Sequence, residues 1–100
     1  MIKDPVRIVK PSGNIFYCER PLGSFTPHIR HRNDGPAAIY TDGEERWYQN
    51  GRRHREDGPA VIEADGSEHW FIEGILHRRD GPYSVWADGE EEWDEGASYV

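Results

Sequence analysis

Apolar positions in this chain come in short runs, each closed by glycine or proline. Ala37-Ala38-Ile39-Tyr40, Ala60-Val61-Ile62-Glu63 and Tyr83-Ser84-Val85-Trp86 each follow a proline, and Asp42-Gly43, Asp65-Gly66 and Asp88-Gly89 close them. Second runs reach Trp47-Tyr48, Trp70-Phe71 and Trp93-Asp94. Second turns stand at Asn50-Gly51, Glu73-Gly74 and Glu95-Gly96. Asp-Gly between strand-like runs is a strong hairpin signal, and punctuation this dense gives a helix no foothold. The pattern predicts an all-β chain, a single elongated antiparallel sheet of successive hairpins.

The hairpins repeat one wording. His31-Arg32-Asn33-Asp34-Gly35-Pro36-Ala37 returns from His54 to Ala60 and from His77 to Tyr83, at intervals of 23 residues. A fixed period in this range marks an array whose units bury their apolar faces only against neighbours. The units run 31–53, 54–76 and 77–100 within one domain. Residues 1–19 read as a degenerate capping unit, since a shift of 30 sets Gly13 on Gly43 and Tyr17 on Trp47. Residues 20–30, with Pro21, Gly23 and Pro27, read as a loop or arm. Its Leu22 and Phe25 either cover the end of the core or form a contact.

Register decides the core. A two-residue Asp-Gly loop would set Ile39 opposite Arg46. A three-residue loop with a glycine bulge sets Ile39 opposite Trp47, Ile62 opposite Trp70 and Val85 opposite Trp93, and burial favours it. The expectation is Ile/Val and Trp stripes on one face and Glu-rich positions on the other.

Within the repeated wording, Asp34, Asp57 and Asp80 are expected to bond their own turn backbone. Gly35, Gly58 and Gly81 are expected to supply positive φ. Pro36, Pro59 and Pro82 fix the entry to the next strand. The arginines are expected to pair with glutamates across strands, and the histidines to bond the turn or stack on the Trp row. Equivalent histidines in such an array sit about 10 Å apart, and zinc ligands converge to about 2 Å from one ion. His31, His54 and His77 therefore cannot share an ion, and neither metal nor cofactor is expected.

At these residues a resemblance becomes specific. Trp-Tyr-x-Asn-Gly-x-x-His, then a strand and Asp-Gly, resembles the MORN repeat. The His-Arg-x-Asp-Gly-Pro-Ala version is similar to MORN-like repeats of phage and bacterial proteins. It covers residues 31–96 well and 6–17 faintly. The resemblance implies an elongated sheet of hairpins that binds, rather than catalyses: partner proteins, sometimes membrane surfaces. Arg32, Arg55 and Arg78 stand where many such units have Gly, and Asp94 replaces Tyr in the last unit. The shared positions are structural, so no binding residue carries over.

Composition narrows the function. One cysteine, Cys18, excludes an internal disulfide, while 12% aromatic residues is rich for a mean hydropathy of −0.92. No run is long and apolar enough to span a bilayer. Met1 to Pro5 is charged and proline-broken, so no signal peptide is expected and the setting reads as cytoplasmic, that of the host cell if the chain is phage-encoded. The net charge of −7 divides into +4 over residues 1–32 and −11 over the rest. Such a face repels phosphate and favours basic partners; its simpler use is to keep a Trp-rich β protein soluble.

Residues 88–95 hold six acids, Asp88, Glu90, Glu91, Glu92, Asp94 and Glu95. Alternate acids on a strand project from one face and could imitate phosphates in a basic groove of a nucleic-acid-binding protein. The alternative use is a solvated edge that blocks aggregation. Small acidic phage proteins that block host defence, anti-CRISPR proteins among them, are similar in size and charge, by type rather than by motif. The reading is a non-catalytic protein-binding inhibitor, with Leu22, Phe25, Arg52 and Arg53 as second candidate contacts. Its alternatives are a scaffolding or antitoxin-like binder and a carbohydrate-active enzyme built on carboxylates such as Glu44 and Glu45. Glycoside hydrolysis needs two carboxylates roughly 5–10 Å apart, but no phosphate loop, nucleophile elbow or supported Cys–His pairing is present. Acidity argues against direct nucleic-acid or membrane contact. The chain is expected to be a monomer or an edge-paired homodimer.

Overall fold

A computed structural model describes residues 6–19 and 29–93. These residues form strands and turns and no helix. β1 (Val6–Val9) and β2 (Ile15–Glu19) make the first hairpin, and β3 (Ile29–Arg30) pairs with the end of β2. β4 (Ala38–Ile39) and β5 (Glu45–Arg46) make the next, followed by β6 (Tyr48–Gln49) and β7 (Arg52–Arg53). The pattern continues with β8 (Val61–Ile62), β9 (Glu68–His69), β10 (Phe71–Ile72), β11 (Ile75–Leu76), β12 (Ser84–Val85) and β13 (Glu91–Glu92). The main sheet is antiparallel and nine-stranded, in the order β1-β2-β4-β5-β8-β9-β12-β13 with β3 beside β2. The large sheet of hairpins is as expected. The second turns, however, close separate two-stranded sheets, β6–β7 and β10–β11.

The expected register is not the one found. Ile39 stands opposite Glu45, Ile62 opposite Glu68 and Val85 opposite Glu91. The cause lies in the turn. Tyr40 N–H donates to the Glu44 carbonyl at 2.9 Å and Gly43 N–H to the Tyr40 carbonyl at 3.0 Å. Gly43 is the third loop residue, in the left-handed region at φ 96°. It lies inside the loop, so the hairpin centres on Asp42 and pairing starts nearer the turn. Asp42 Oδ1 accepts from Glu44 N–H at 2.9 Å and holds the loop.

The register aligns two rows. Val9, Ile15, Ile39, Glu45, Ile62, Glu68, Val85 and Glu91 follow one another across one face. Ile8, Phe16, Ala38, Arg46, Val61, His69, Ser84 and Glu92 follow one another across the other. Glutamate therefore alternates with aliphatic residues on one face instead of taking the opposite one, and Ile39 and Ile62 are only half-buried. The core is small. Ala37, Ala38 and Tyr48 are buried, with Phe16, Tyr17 and Tyr40 against them. Phe16 meets Tyr40 edge-on at 5.7 Å. Cys18 is a buried free thiol; burial pushes its pKa up, and Arg30 and Lys10 only partly oppose this.

Candidate functional site

The repeated wording builds a lid over each aromatic ring. Arg32, Arg55 and Arg78 lie over Tyr17, Trp47 and Trp70, with Cζ at 3.9, 3.8 and 4.0 Å from the ring centroids. Each Nη1 donates to the carbonyl of Pro36, Pro59 or Pro82, at 3.2, 3.1 and 3.2 Å. Each Nε faces the carboxylate of Asp34, Asp57 or Asp80, at 3.1, 3.1 and 3.4 Å. These aspartates thus hold arginine rather than their own turn, and these arginines pair with aspartate rather than with glutamate across strands. Planar stacking and a forked donor set are what guanidinium offers and ammonium does not.

Gly35, Gly58 and Gly81 also have a different reason from the one expected. They do not have positive φ. A Cβ there would come within 2.8, 2.8 and 2.6 Å of the Cζ of Arg32, Arg55 and Arg78. Glycine leaves the space in which the guanidinium lies against the backbone, and a Cβ would push the arginine aside.

His31 and His54 reach the second turns. His31 Nδ1 accepts from Asn50 N–H and His54 Nδ1 from Glu73 N–H, both at 3.0 Å. Asn50 and Glu73 have φ of 52° and 49°, and Gly51 and Gly74 follow at 81° and 85°. Two consecutive left-handed residues between paired strands make the two-residue turn that suits strand twist.

The guanidiniums of Arg46 and Arg53 lie near the Tyr48 hydroxyl. Burial raises its pKa, but the two guanidiniums outweigh that and bring it below the ordinary value. Arg53 also lies over Phe71, at 5.3 Å. One more polar line crosses three strands. Ser84 Oγ is 2.7 Å from His69 Nδ1, and His69 Nε2 is 3.0 Å from Glu63 Oε2. The His69 ring meets Trp86 edge-on at 4.9 Å. Ser84 is 2% exposed. Only the register brings these residues together, so no sequence spacing signals them.

The β12–β13 hairpin differs from the rest. Trp86 and Trp93 are 37% and 52% exposed. Trp86 Nε1 donates to Glu92 Oε1 at 2.7 Å, and Trp93 Nε1 to Glu91 Oε1 at 3.2 Å. Asp88 Oδ1 accepts from Glu90 N–H at 2.9 Å. Asp88, Glu90, Glu91 and Glu92 are all exposed, and alternation divides Glu90 and Glu92 from Glu91 between the two faces. The exposed indoles were not part of the sequence reading, which assigned Trp93 to the core. Arg52 is exposed on β7, while Arg53 is engaged as described. Asp94, Glu95, Leu22 and Phe25 lie outside the described residues. Glu44 and Glu45 are consecutive in extended chain and point to opposite faces, and Glu44 pairs with Arg46 at 3.3 Å. Among the described residues no three His, Cys, Asp or Glu side chains gather as a metal site.

No protein-family model, curated protein sequence or solved structure matches this chain.

Proposed function

We propose that this chain is a MORN-like repeat protein of period 23 that acts without catalysis, by binding another protein through its β12–β13 hairpin. The partner is a basic nucleic-acid-binding protein whose phosphate groove the hairpin occupies, as a phage-type inhibitor of host defence would do. The observation that carries this is the pairing of exposed indoles with fixed carboxylates. Trp86 and Trp93 stand out beside Glu92 and Glu91 and tie each carboxylate in place. Aromatic anchors of this kind dominate binding energy at protein interfaces, and held carboxylates lose less freedom on binding. A merely solubilising edge has no use for exposed tryptophan.

The test is affinity capture with this chain as bait. A basic protein retained at low salt should be displaced by added nucleic acid and lost with Glu90→Gln, Glu91→Gln, Glu92→Gln. Retention by that variant would refute the acidic-hairpin reading.

A second, hydrolytic reading rests on the Ser84–His69–Glu63 line, whose distances are those of a nucleophile, its base and an orienting carboxylate. A fluorophosphonate probe that labels Ser84, and fails to label it in His69→Ala, would favour it.

A further inference from the structure

We propose that copies of this chain pair head to tail, the acidic edge of β13 on one copy taking the basic edge of β1 on the next, and so grow into open-ended chains. β1 and β13 end the strand order, and among the described residues no strand pairs with the outer side of either.

The register carries the inference. The turn glycines are Gly13, Gly43, Gly66 and Gly89. At each junction between hairpins, the residue two past one glycine stands opposite the residue four before the next. Ile15 faces Ile39, Glu45 faces Ile62 and Glu68 faces Val85. The same step taken once more sets Glu91 opposite Val9 of the next copy. It sets Glu90 opposite Lys10 and Trp93 opposite Arg7.

Hydrogen-bond directions agree with that step. The carbonyls of Glu90 and Glu92 accept inward, from Trp86 and Tyr83 N–H at 2.8 and 2.9 Å. Alternation therefore turns the N–H and C=O of Glu91 outward. Lys10 N–H donates inward, to the Asn14 carbonyl at 2.9 Å, so Val9 turns outward. Glu91 and Val9 are then the pair that exchanges both bonds.

Side chains agree as well. Val9 is 54% exposed, and it extends the row in which aliphatic residues alternate with glutamate. Lys10 meets Glu90 with opposite charge. Arg7 reaches the ring of Trp93, which is 52% exposed, and supplies a cation over an aromatic as the inner arginines do. Pairing like edges opposes glutamate to glutamate or cation to cation, which destabilises a sheet. Two different edges make a heterologous contact, which extends rather than closes. Eight strands along the path at about 4.8 Å each advance the chain by roughly 38 Å per copy.

The inference stands on the two edges and needs no foreign partner. Growth covers the outer edge at Glu90 and Glu91, so assembly and partner capture compete for one hairpin.

Sedimentation velocity on the protein alone, across concentration and salt, tests it. Mass should climb past two chains with concentration at low salt and fall back to the 11.6 kDa of one chain at high salt. Arg7→Glu with Lys10→Glu makes both edges acidic; Glu90→Lys with Glu91→Lys makes both basic. Each variant should keep one chain's mass, and their equimolar mixture should grow past two chains, because every junction then joins an acidic edge to a basic one. A wild-type mass that stays at one chain, a plateau at two chains, or a mixture of variants with native circular dichroism that grows no larger than its components would overturn the proposal.

Discussion

Trp70 and Trp93 each stand four residues past a turn glycine, Gly66 and Gly89, yet they sit in opposite surroundings. Trp70 is half-buried beneath Arg78, whose guanidinium lies 4.0 Å from the ring centroid. Trp93 is 52% exposed. The lid for Trp70 comes from the repeated wording that follows it, and among the described residues no arginine lies over Trp93. Identical local chemistry thus serves as core in one hairpin and as surface in the next, because the covering residue belongs to the neighbour.

Truncating both rings should separate their surroundings most strongly. Trp70→Ala should cost about 3 kcal/mol, and Trp93→Ala under about 0.5 kcal/mol, both read from urea midpoints. Equal losses would mean that the two rings are alike in burial. Next comes the glycine beneath the lid. Gly58→Ala places a Cβ within 2.8 Å of Arg55 Cζ, so it should cost about 1–3 kcal/mol by overpacking. In an Arg55→Ala background that cost should largely vanish; a cost that persists would show that the clash lies elsewhere.

Arg78→Lys keeps the charge and loses the stacked plane, for about 0.5–1 kcal/mol. Trp fluorescence should report the uncovered ring, and an unchanged spectrum would remove the lid from the account. Glu73 occupies the left-handed region at φ 49° without being glycine. Glu73→Asn should therefore raise stability by about 0.5–1 kcal/mol, since Asn suits that position of the turn; a loss in thermal unfolding would show that the glutamate side chain is itself a support.

The smallest effect is on pH. Hydrogen bonds from the Ser67 backbone and hydroxyl hold Asp65 below its ordinary value of 3.8. A depressed folded-state pKa means stability that is present above the unfolded value and is lost as pH falls through the folded one. Asp65→Asn should flatten the acid limb of stability slightly and leave neutral pH unchanged, as acid titration by circular dichroism would show.

Asp42-Gly43 and its copies announced hairpins, because an acceptor followed by a residue tolerant of positive φ is a local requirement of the turn. The same letters did not reveal that glycine is the third residue of the loop, and moving the turn centre by one residue moved the partner of Ile39 by two, from Trp47 to Glu45. Gly35 was legible as a position where only glycine fits, but not the reason. The close approach of Arg32 depends on a ring that another hairpin supplies. For the candidate site, the acids from Asp88 to Glu92 were readable as charge, while the exposure of Trp86 and Trp93 was not, because exposure is set by what comes next to them. The Ser84–His69–Glu63 line was invisible for a similar reason, lying across strands at spacings that carry no motif.

The all-β class, the hairpin turns and the recurrence of one wording are legible in the chain alone, since they rest on backbone preferences acting within a few residues. Which residues face each other, which rings are covered and, among the described residues, which strand edges are unpaired follow only from how the hairpins pack. Those depend on the neighbouring hairpin, whose turn sets the register and with it the partner of every side chain across the sheet.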